Sequence, residues 1–387
     1  MAKILLGISS SIAVYKMCDL IRELRKRGHQ IRVIMTPFSE RFIGRLTFEA
    51  LTGYKVYVDW EEDPFLHINL PRWSDLFLIA PCSVNTLSKI ANGICDNLLV
   101  TSVLAHKGPL LVAPAANVEM YKNPAVQENI RKLKERGIIV IEPETGPLAC
   151  EEEGQGRLAN QERLLDWIEW AIRPYKPLRG KKALVTVGAT REFIDSVRYI
   201  SNLSSGKMGM AIARVLRWYG ADVTLVTAFT TENPPPEVEV LRVVSAEDMR
   251  REVLRLLPQT HLLVMNAAVS DFTPLEKHSG KIKKKDQMIL KLTKTPDILE
   301  EVARSKGNTF VVGFALEEEE VLLQEGKRKL LQKRLDMLVA NPIDVMGSEQ
   351  HRGYILYPEG KEEVFSFPNK LESAEFIVKK IVEKITG

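Results

Sequence analysis

The sequence predicts an α/β protein with two doubly wound parallel sheets, because one order of strand, helix, glycine and strand occurs twice along it. In the first instance the apolar run Lys3–Ile8 precedes a helical periodicity over 12–27, then Gly28 and a second run at Gln30–Met35. In the second, Lys182–Val187 leads to a helix over 208–218, then Gly220 and Asp222–Thr227. Further apolar runs at 75–80, 109–113, 138–141, 262–266, 309–314 and 337–340 are short enough to be parallel strands covered by helices on both faces. Both halves therefore read as Rossmann-like units, and the periodicity over 370–385 adds a helix packed on the second sheet.

The length of 387 residues agrees with two domains at ~100–200 residues each. A helix over 162–172 is stopped by Arg173-Pro174-Tyr175-Lys176-Pro177-Leu178-Arg179-Gly180, which places one domain at 1–173, a linker at 174–180 and a second domain at 181–387. An apolar share of 45% with 27% charged residues excludes a disordered chain. The surplus of 54 Lys and Arg over 50 Asp and Glu is too small to call for a nucleic-acid or membrane surface, and small molecules are the expected partners. No apolar run approaches the ~18 residues of a membrane span, so a cytoplasmic location is expected. Cys18, Cys82, Cys95 and Cys150 form no C-x-x-C pair, which fits a reducing compartment and disfavours structural zinc.

The loop Gly7-Ile8-Ser9-Ser10-Ser11-Ile12-Ala13 lies where the first strand meets the first helix, so backbone N–H groups and three hydroxyls can hold a phosphate. It lacks the later glycines of G-x-G-x-x-G, which suits a mononucleotide phosphate better than a dinucleotide. Two more strand ends carry small polar clusters, Pro81-Cys82-Ser83-Val84-Asn85-Thr86-Leu87-Ser88-Lys89 and Pro114-Ala115-Ala116-Asn117-Val118-Glu119-Met120-Tyr121. With Ala149-Cys150-Glu151-Glu152-Glu153-Gly154-Gln155-Gly156-Arg157, these segments resemble the flavin-containing cysteine decarboxylases, phosphopantothenoylcysteine decarboxylase in particular. The resemblance implies FMN, held by Gly7, Ser9, Ser10, Ser11, Thr36, Phe38, Ser83, Asn85, Thr86 and Lys89. It implies a decarboxylation without net redox change, in which His67 acts as base or positioning group near the reacting thiol and Asn117 grips the substrate carboxylate. Cys150 would return a proton from a mobile flap that also carries Arg157. Ala116, Tyr121, Glu151 and Leu158 stand where that family commonly has Met, Trp, Gly and Met.

In the second half, Arg198-Tyr199-Ile200-Ser201-Asn202-Leu203-Ser204-Ser205-Gly206-Lys207-Met208-Gly209 enters a helix with hydroxyls suited to an anion. No G-x-x-x-x-G-K-[ST] is present, so ordinary P-loop chemistry is excluded. Asn266-Ala267-Ala268-Val269-Ser270-Asp271 follows a strand, and a basic stretch at 277–285 reads by itself as a solvated turn or short hairpin. These segments resemble phosphopantothenate-cysteine ligase, and the order of the halves resembles the bacterial bifunctional family of coenzyme A biosynthesis. That resemblance implies 4'-phosphopantothenate, L-cysteine and CTP as substrates, an acyl-cytidylate intermediate and Mg²⁺, whose ligands stay unassigned. Asn202 would hold the intermediate and Lys281 serve its conversion. Ser204, Ser205, Gly206, Lys207, Met265, Ala267, Ala268, Asp271, Pro296, Asp297, Ile298, Leu299, Phe314, Lys329 and Lys333 would bind substrate, the last two being four apart on one helix. Ala189, where Pro is usual, is a mild departure.

The implied assembly is a homo-oligomer of trimeric decarboxylase units linked by ligase dimers. A rival from another class is a flavin-binding regulatory protein sharing the first fold. Retention of His67, Asn117 and Cys150 argues against it, and neither half has the fingerprint of an NAD(P)-dependent dehydrogenase.

Overall fold

The computed structural model describes residues 1–60, 63–147, 153–284 and 287–386. Cys150 and Glu151 lie outside the described residues. The chain divides into two compact units, Met1–Pro174 and Tyr175–Gly387. Of residues 174–180, expected as linker, Pro174 closes the first unit and 175–180 belong to the second. Leu178 is 1% exposed, its N–H donates to the Tyr219 carbonyl at 3.0 Å, and Lys176 Nζ donates to the Trp218 carbonyl at 2.8 Å.

In the first unit β1 (Lys3–Ile8), α1 (Lys16–Lys26), β2 (Gln30–Met35), α2 (Arg45–Thr52) and α3 (Leu66–Trp73) come first. They are followed by β3 (Leu76–Cys82), α4 (Val84–Asn92), α5 (Leu98–Ala105), β4 (Leu110–Pro114), α6 (Val118–Lys122), α7 (Pro124–Glu135) and β5 (Ile139–Val140). The parallel sheet runs β2-β1-β3-β4-β5, as doubly wound topology requires. Its strands have period-2 alternation between two cores. Ile4, Leu6 and Ile8 face one, with Leu20, Ile21 and Leu24 of α1, while Leu5, Phe77 and Ile79 face the other, with Leu87, Leu99 and Leu133. The helix expected over 12–27 begins as a 3₁₀ turn at Ile12–Tyr15 before α1 starts. A hairpin of β6 (Glu144–Pro147) and β7 (Glu153–Arg157), which no periodicity announced, and α8 (Gln161–Ala171) complete the unit.

The second unit continues with β8 (Lys182–Val187), β9 (Arg191–Phe193), β10 (Tyr199–Ser201), α9 (Lys207–Trp218), β11 (Asp222–Thr227), β12 (Glu239–Arg242), α10 (Ala246–Leu256) and β13 (Leu262–Met265). After β14 (Phe272–Pro274) and β15 (Leu292–Lys294) come α11 (Ile298–Ser305), β16 (Phe310–Glu317), α12 (Leu322–Gln332), β17 (Met337–Pro342), β18 (His351–Leu356), β19 (Glu362–Phe367) and α13 (Lys370–Thr386). The sheet order is β12-β11-β8-β13-β16-β17-β18-β19. It is parallel through β17 and antiparallel across β18 and β19, so the expected all-parallel sheet is corrected at this edge. The basic stretch lies in the connection between β14 and β15, which pair antiparallel. No described helix is long and apolar enough to cross a membrane.

α8 is fastened to the start of β1 by a buried ion cluster. Glu169 Oε2 lies 2.6 Å from Arg173 Nη1, and Oε1 lies 3.3 Å from Arg27 Nη1 and 3.5 Å from His29 Nε2. Nδ1 of the same imidazole accepts from the Ala2 N–H at 3.2 Å. Burial opposes the Glu169 charge, but the hydrogen bond to His29 and the charges of Arg173 and Arg27 outweigh it, holding the carboxyl at about 2 against the usual 4.5. A value depressed by folding stabilises the native state above the unfolded value and ceases to do so as pH falls through the folded one. Glu169→Gln is therefore expected to cost about 3 kcal/mol at neutral pH. Urea denaturation of the full chain should show the gap to wild type closing between about pH 4.5 and 2.

Candidate active sites

Four strand ends build the first site. The loops after β1, β2, β3 and β4 bound a cavity of about 980 Å³ at their carboxyl ends, where open α/β sheets bind ligands. Ser10, Ser11, Thr36, Ser83 and Thr86 bring hydroxyls to it, Tyr15, Phe38, Met120 and Leu158 bring apolar surface, and Lys16, Lys89 and Arg157 bring positive charge. Ser83 caps α4: its Oγ accepts from the Thr86 N–H at 3.3 Å and donates to Thr86 Oγ1 at 3.2 Å. Ser11 Oγ accepts from the Ala13 N–H at 3.2 Å, and Ser10 Oγ lies 3.3 Å from Thr36 Oγ1. Asn85 lines the cavity from the exposed side of the first turn of α4.

Two residues expected to touch a cofactor do not line this cavity. Ser9 is fully buried, donating from Oγ to the Pro81 carbonyl at 2.9 Å and accepting from the Ser83 N–H at 2.7 Å. It is a strut between two ligand loops. Gly7 is a packing position, because a Cβ there would lie 2.7 Å from Ile79 Cδ1 and 3.1 Å from Leu99 Cδ1. Both were read from their place in a serine-rich loop, and the pleat turns them inward instead.

Asn117 caps α6, its Oδ1 accepting from the N–H groups of Glu119 at 2.8 Å and Met120 at 3.4 Å. That fixes the amide plane, with the Nδ2 edge turned the other way. The neighbouring Ala116 N–H donates to the Gly156 carbonyl at 2.9 Å, which ties the β6–β7 hairpin to the Asn117 loop and brings Arg157 to the cavity rim. Lys89 is paired with Asp96 at 2.5 Å. Lys16, which no sequence argument singled out, is half-buried, and its ammonium is pulled below the usual range by burial first and by Arg157 second, with Glu144 opposing. The available signal was a lysine one turn beyond the serine loop. Tyr121, a departure from the resembling family, is accommodated by Glu142, whose carboxylate accepts the phenol hydrogen at 2.6 Å and also pairs with Lys134 at 2.5 Å. His67, on α3, does not line this cavity; its Nδ1 accepts from Trp60 Nε1–H at 3.1 Å.

In the second unit a cavity of about 330 Å³ opens at the carboxyl ends of β13, β16 and β17. Ser204, Ser205, Gly206, Lys207, Ala267, Ala268 and Phe314 line it as expected, joined by Asn341, His351 and Lys370, which were not foreseen. Gly206 has φ +80°, and a Cβ there would sit 2.6 Å from Thr230 Oγ1, so the turn into α9 needs glycine. Met265, Asp271, Pro296, Asp297, Ile298, Leu299, Lys329 and Lys333 are not brought to this cavity, and neither are Asn202 and Lys281. Lys329 pairs with Glu317 and Lys333 with Asp297, each at 2.5 Å, so the two lysines engage different carboxylates. Asn202 Nδ2 donates to the Val269 carbonyl at 3.2 Å. Lys281 is exposed beside Ile282, whose N–H and carbonyl are held by Asp195 at 3.1 Å and Arg198 at 2.8 Å. Burial lowers the Lys370 ammonium and, together with the Lys370 charge, takes His351 down to about 3.

Residues 1–173 match the family described as Flavoprotein, and residues 178–385 match the DNA/pantothenate metabolism flavoprotein C-terminal domain. The coenzyme A biosynthesis bifunctional protein CoaBC of Bacillus subtilis is 38% identical over 398 residues, covering 99% of this chain and 98% of that one. Its counterpart in Mycobacterium tuberculosis is 37% identical over 407 residues, covering 100% of this chain and 97% of that one. The chain belongs to this bifunctional family. A crystal structure of the C-terminal domain of a CoaBC protein is similar to the chain, with 33% identity and a TM-score of 0.48 over 54% of this chain and 98% of that one. A PPC decarboxylase mutant in complex with pantothenoylaminoethenethiol is 34% identical with a TM-score of 0.40, over 43% and 96%.

The first cavity fits the flavin its domain family names, offering hydroxyls and helix-start N–H groups at one end and Phe38, Met120 and Leu158 for an aromatic ring system. The second cavity carries no carboxylate among its lining residues, and no described group of three or more His, Cys, Asp or Glu is placed to hold a metal ion.

The hairpin tether is testable at Gly156. A Cβ there would lie 2.4 Å from the Ala116 carbonyl oxygen. Gly156→Ala is expected to cost about 1–3 kcal/mol and to free β7 from the Asn117 loop, seen as faster amide exchange at Ala116 and weaker flavin retention on gel filtration.

Proposed function

We propose that the second unit joins the carboxylate of 4'-phosphopantothenate to the amine of L-cysteine using CTP, presented with Mg²⁺, and that the first unit decarboxylates the product to 4'-phosphopantetheine with FMN. The observation that carries this reading is the first cavity, which collects a hydroxyl-lined anion end, an apolar wall and the Asn117 and Arg157 side chains in a chain alike to CoaBC proteins over nearly its whole length. In the ligase half the pantothenate carboxylate attacks the α-phosphate of CTP and pyrophosphate leaves; the cysteine amine then attacks the acyl-cytidylate carbonyl and CMP leaves. Asn202 and Lys281 serve the intermediate, and the Ser204 to Lys207 turn with its helix start neutralises phosphate charge.

In the decarboxylase half, Ser10, Ser11, Ser83 and Thr86 hold the cofactor phosphate, and Asn117 binds the substrate carboxylate until it departs as CO2. FMN, when bound, supplies reversible two-electron oxidation of the sulfur-bearing carbon. Lys16 and Arg157 offset anionic charge at the rim, and Cys150 returns the last proton. Tyr15, Phe38 and Met120 are 58%, 55% and 52% exposed, so one side of the cavity is open. We ascribe the closing of that side, and the His67 that the cavity's own lining lacks, to a second copy of the chain, which is the reading behind a trimeric decarboxylase unit; ligase dimers would link such units.

Incubation of the purified chain with phosphopantothenate, cysteine, CTP and Mg²⁺ is expected to give phosphopantetheine by mass spectrometry, CMP and pyrophosphate. Absence of both the ligated intermediate and the final thiol would overturn the assignment. His67→Asn should stop CO2 release and let phosphopantothenoylcysteine accumulate, whereas Lys281→Gln should stop ligation while added phosphopantothenoylcysteine is still decarboxylated. Cys150→Ser, replacing a thiol by a far weaker acid, should halt after one CO2 and leave a product two hydrogens short of phosphopantetheine.

A further inference from the structure

His67 is held by a donor that cannot reverse its role. Indole Nε1–H donates and never accepts, so the 3.1 Å bond from Trp60 requires the lone pair to be on His67 Nδ1. A neutral imidazole with an unprotonated Nδ1 carries its proton on Nε2. The two rings meet edge-on, with centroids 6.2 Å apart and planes at 62°, so the indole also sets the rotation of the imidazole. The backbone of His67 is rigidly placed on α3, which packs against α5.

Neither Asp63 nor α5 competes for the ring. Asp63, at the start of α3, is engaged there, accepting from the Phe65 N–H at 2.8 Å and from Asn69 Nδ2 at 3.4 Å. α5 presents Leu98–Ala105, a stretch without a titratable side chain. His67 Nε2 has no hydrogen-bond partner among the described residues, and it is the edge turned away from Trp60.

We propose that Trp60 is a positioning residue that fixes His67 as an Nε2–H hydrogen-bond donor toward an anionic group of the substrate, a carboxylate or thiolate. This rests on the reading that His67 serves the decarboxylation, and of the two roles expected for it, base or positioning group, it takes the second, exercised as a hydrogen-bond donor. Removing a proton through Nε2 would require the other tautomer, which forfeits the Trp60 bond and leaves its N–H without an acceptor.

The test uses the flavin-loaded full chain with ¹⁵N-labelled His and Trp. Long-range ¹H–¹⁵N spectra are expected to show His67 as the Nε2–H tautomer, with Nδ1 perturbed by the indole N–H. Trp60→Phe keeps an aromatic ring and removes the donor. It should shift the Nδ1 resonance and lower kcat for added phosphopantothenoylcysteine about 5- to 10-fold, with KM changed less than about twofold because binding is left largely intact. Should that variant lose its flavin, replacement of Trp60 by benzothienylalanine, which keeps the indole shape and lacks the N–H, is the deciding measurement. A proton on Nδ1 in the wild type, or donor-less variants with unchanged kcat and unchanged Nδ1 signal, would overturn the inference. The functional reading fails separately, if His67→Asn decarboxylates normally, and the wild-type spectrum still judges the hydrogen bond in that case.

Discussion

A parallel sheet buried on both faces can accept a ligand only at its strand ends, and both units are organised by that constraint. The strands spend their side chains on two cores, so polar groups must come from the loops, and those loops must be held at a defined spacing. In each unit buried hydroxyls do this. Ser9 joins the end of β1 to the loop after β3, and Thr186 at the end of β8 accepts from the N–H groups of Asn266 and Ala267, both at 3.1 Å, after β13. Neither hydroxyl lines its cavity; each sets the distance between groups that do. A buried polar group satisfied on both sides is rigid, because giving up either bond leaves an unpaired donor or acceptor away from water.

The two sites treat positive charge differently. In the first, Lys16 and Arg157 disfavour one another, and Lys16 is further penalised by burial. An incoming phosphate or carboxylate relieves both effects, since an anion within a few ångströms favours the charged forms. In the second, the lining Lys207 is paired with Glu349 at 3.0 Å, and the half-buried Lys370 donates to the Val345 carbonyl at 3.3 Å. An anion entering that cavity would exchange partners with Lys207, a trade close to neutral in energy at an exposed surface.

The Tyr121 and Glu142 pair shows how a departure from a family pattern is absorbed. A smaller aromatic residue leaves its hydroxyl to be accounted for, and a half-buried carboxylate supplies the acceptor while Lys134 balances it. The departure is local, and the Asn117 cap four residues earlier is intact.

The sequence by itself determined the two βαβ units, the break near Pro174 and the loops that carry Ser10, Ser83, Asn117 and Ser204. Each of these is written in the spacing of residues close along the chain: alternating burial for strands, helical periodicity for helices, and small polar residues where one becomes the other. Only the tertiary structure decided which members of those loops face a ligand. Ser9 and Gly7 sit in the same short motif as Ser10, yet contacts with Pro81, Ser83, Ile79 and Leu99, more than 70 residues away, turn them into the core. The β6–β7 hairpin, the β18–β19 edge, the inclusion of Leu178 in the second unit and the recruitment of Lys16 and Lys370 were equally hidden. Each depends on pairing between distant segments, and the free energy of such pairing belongs to the packed whole rather than to any local window of sequence.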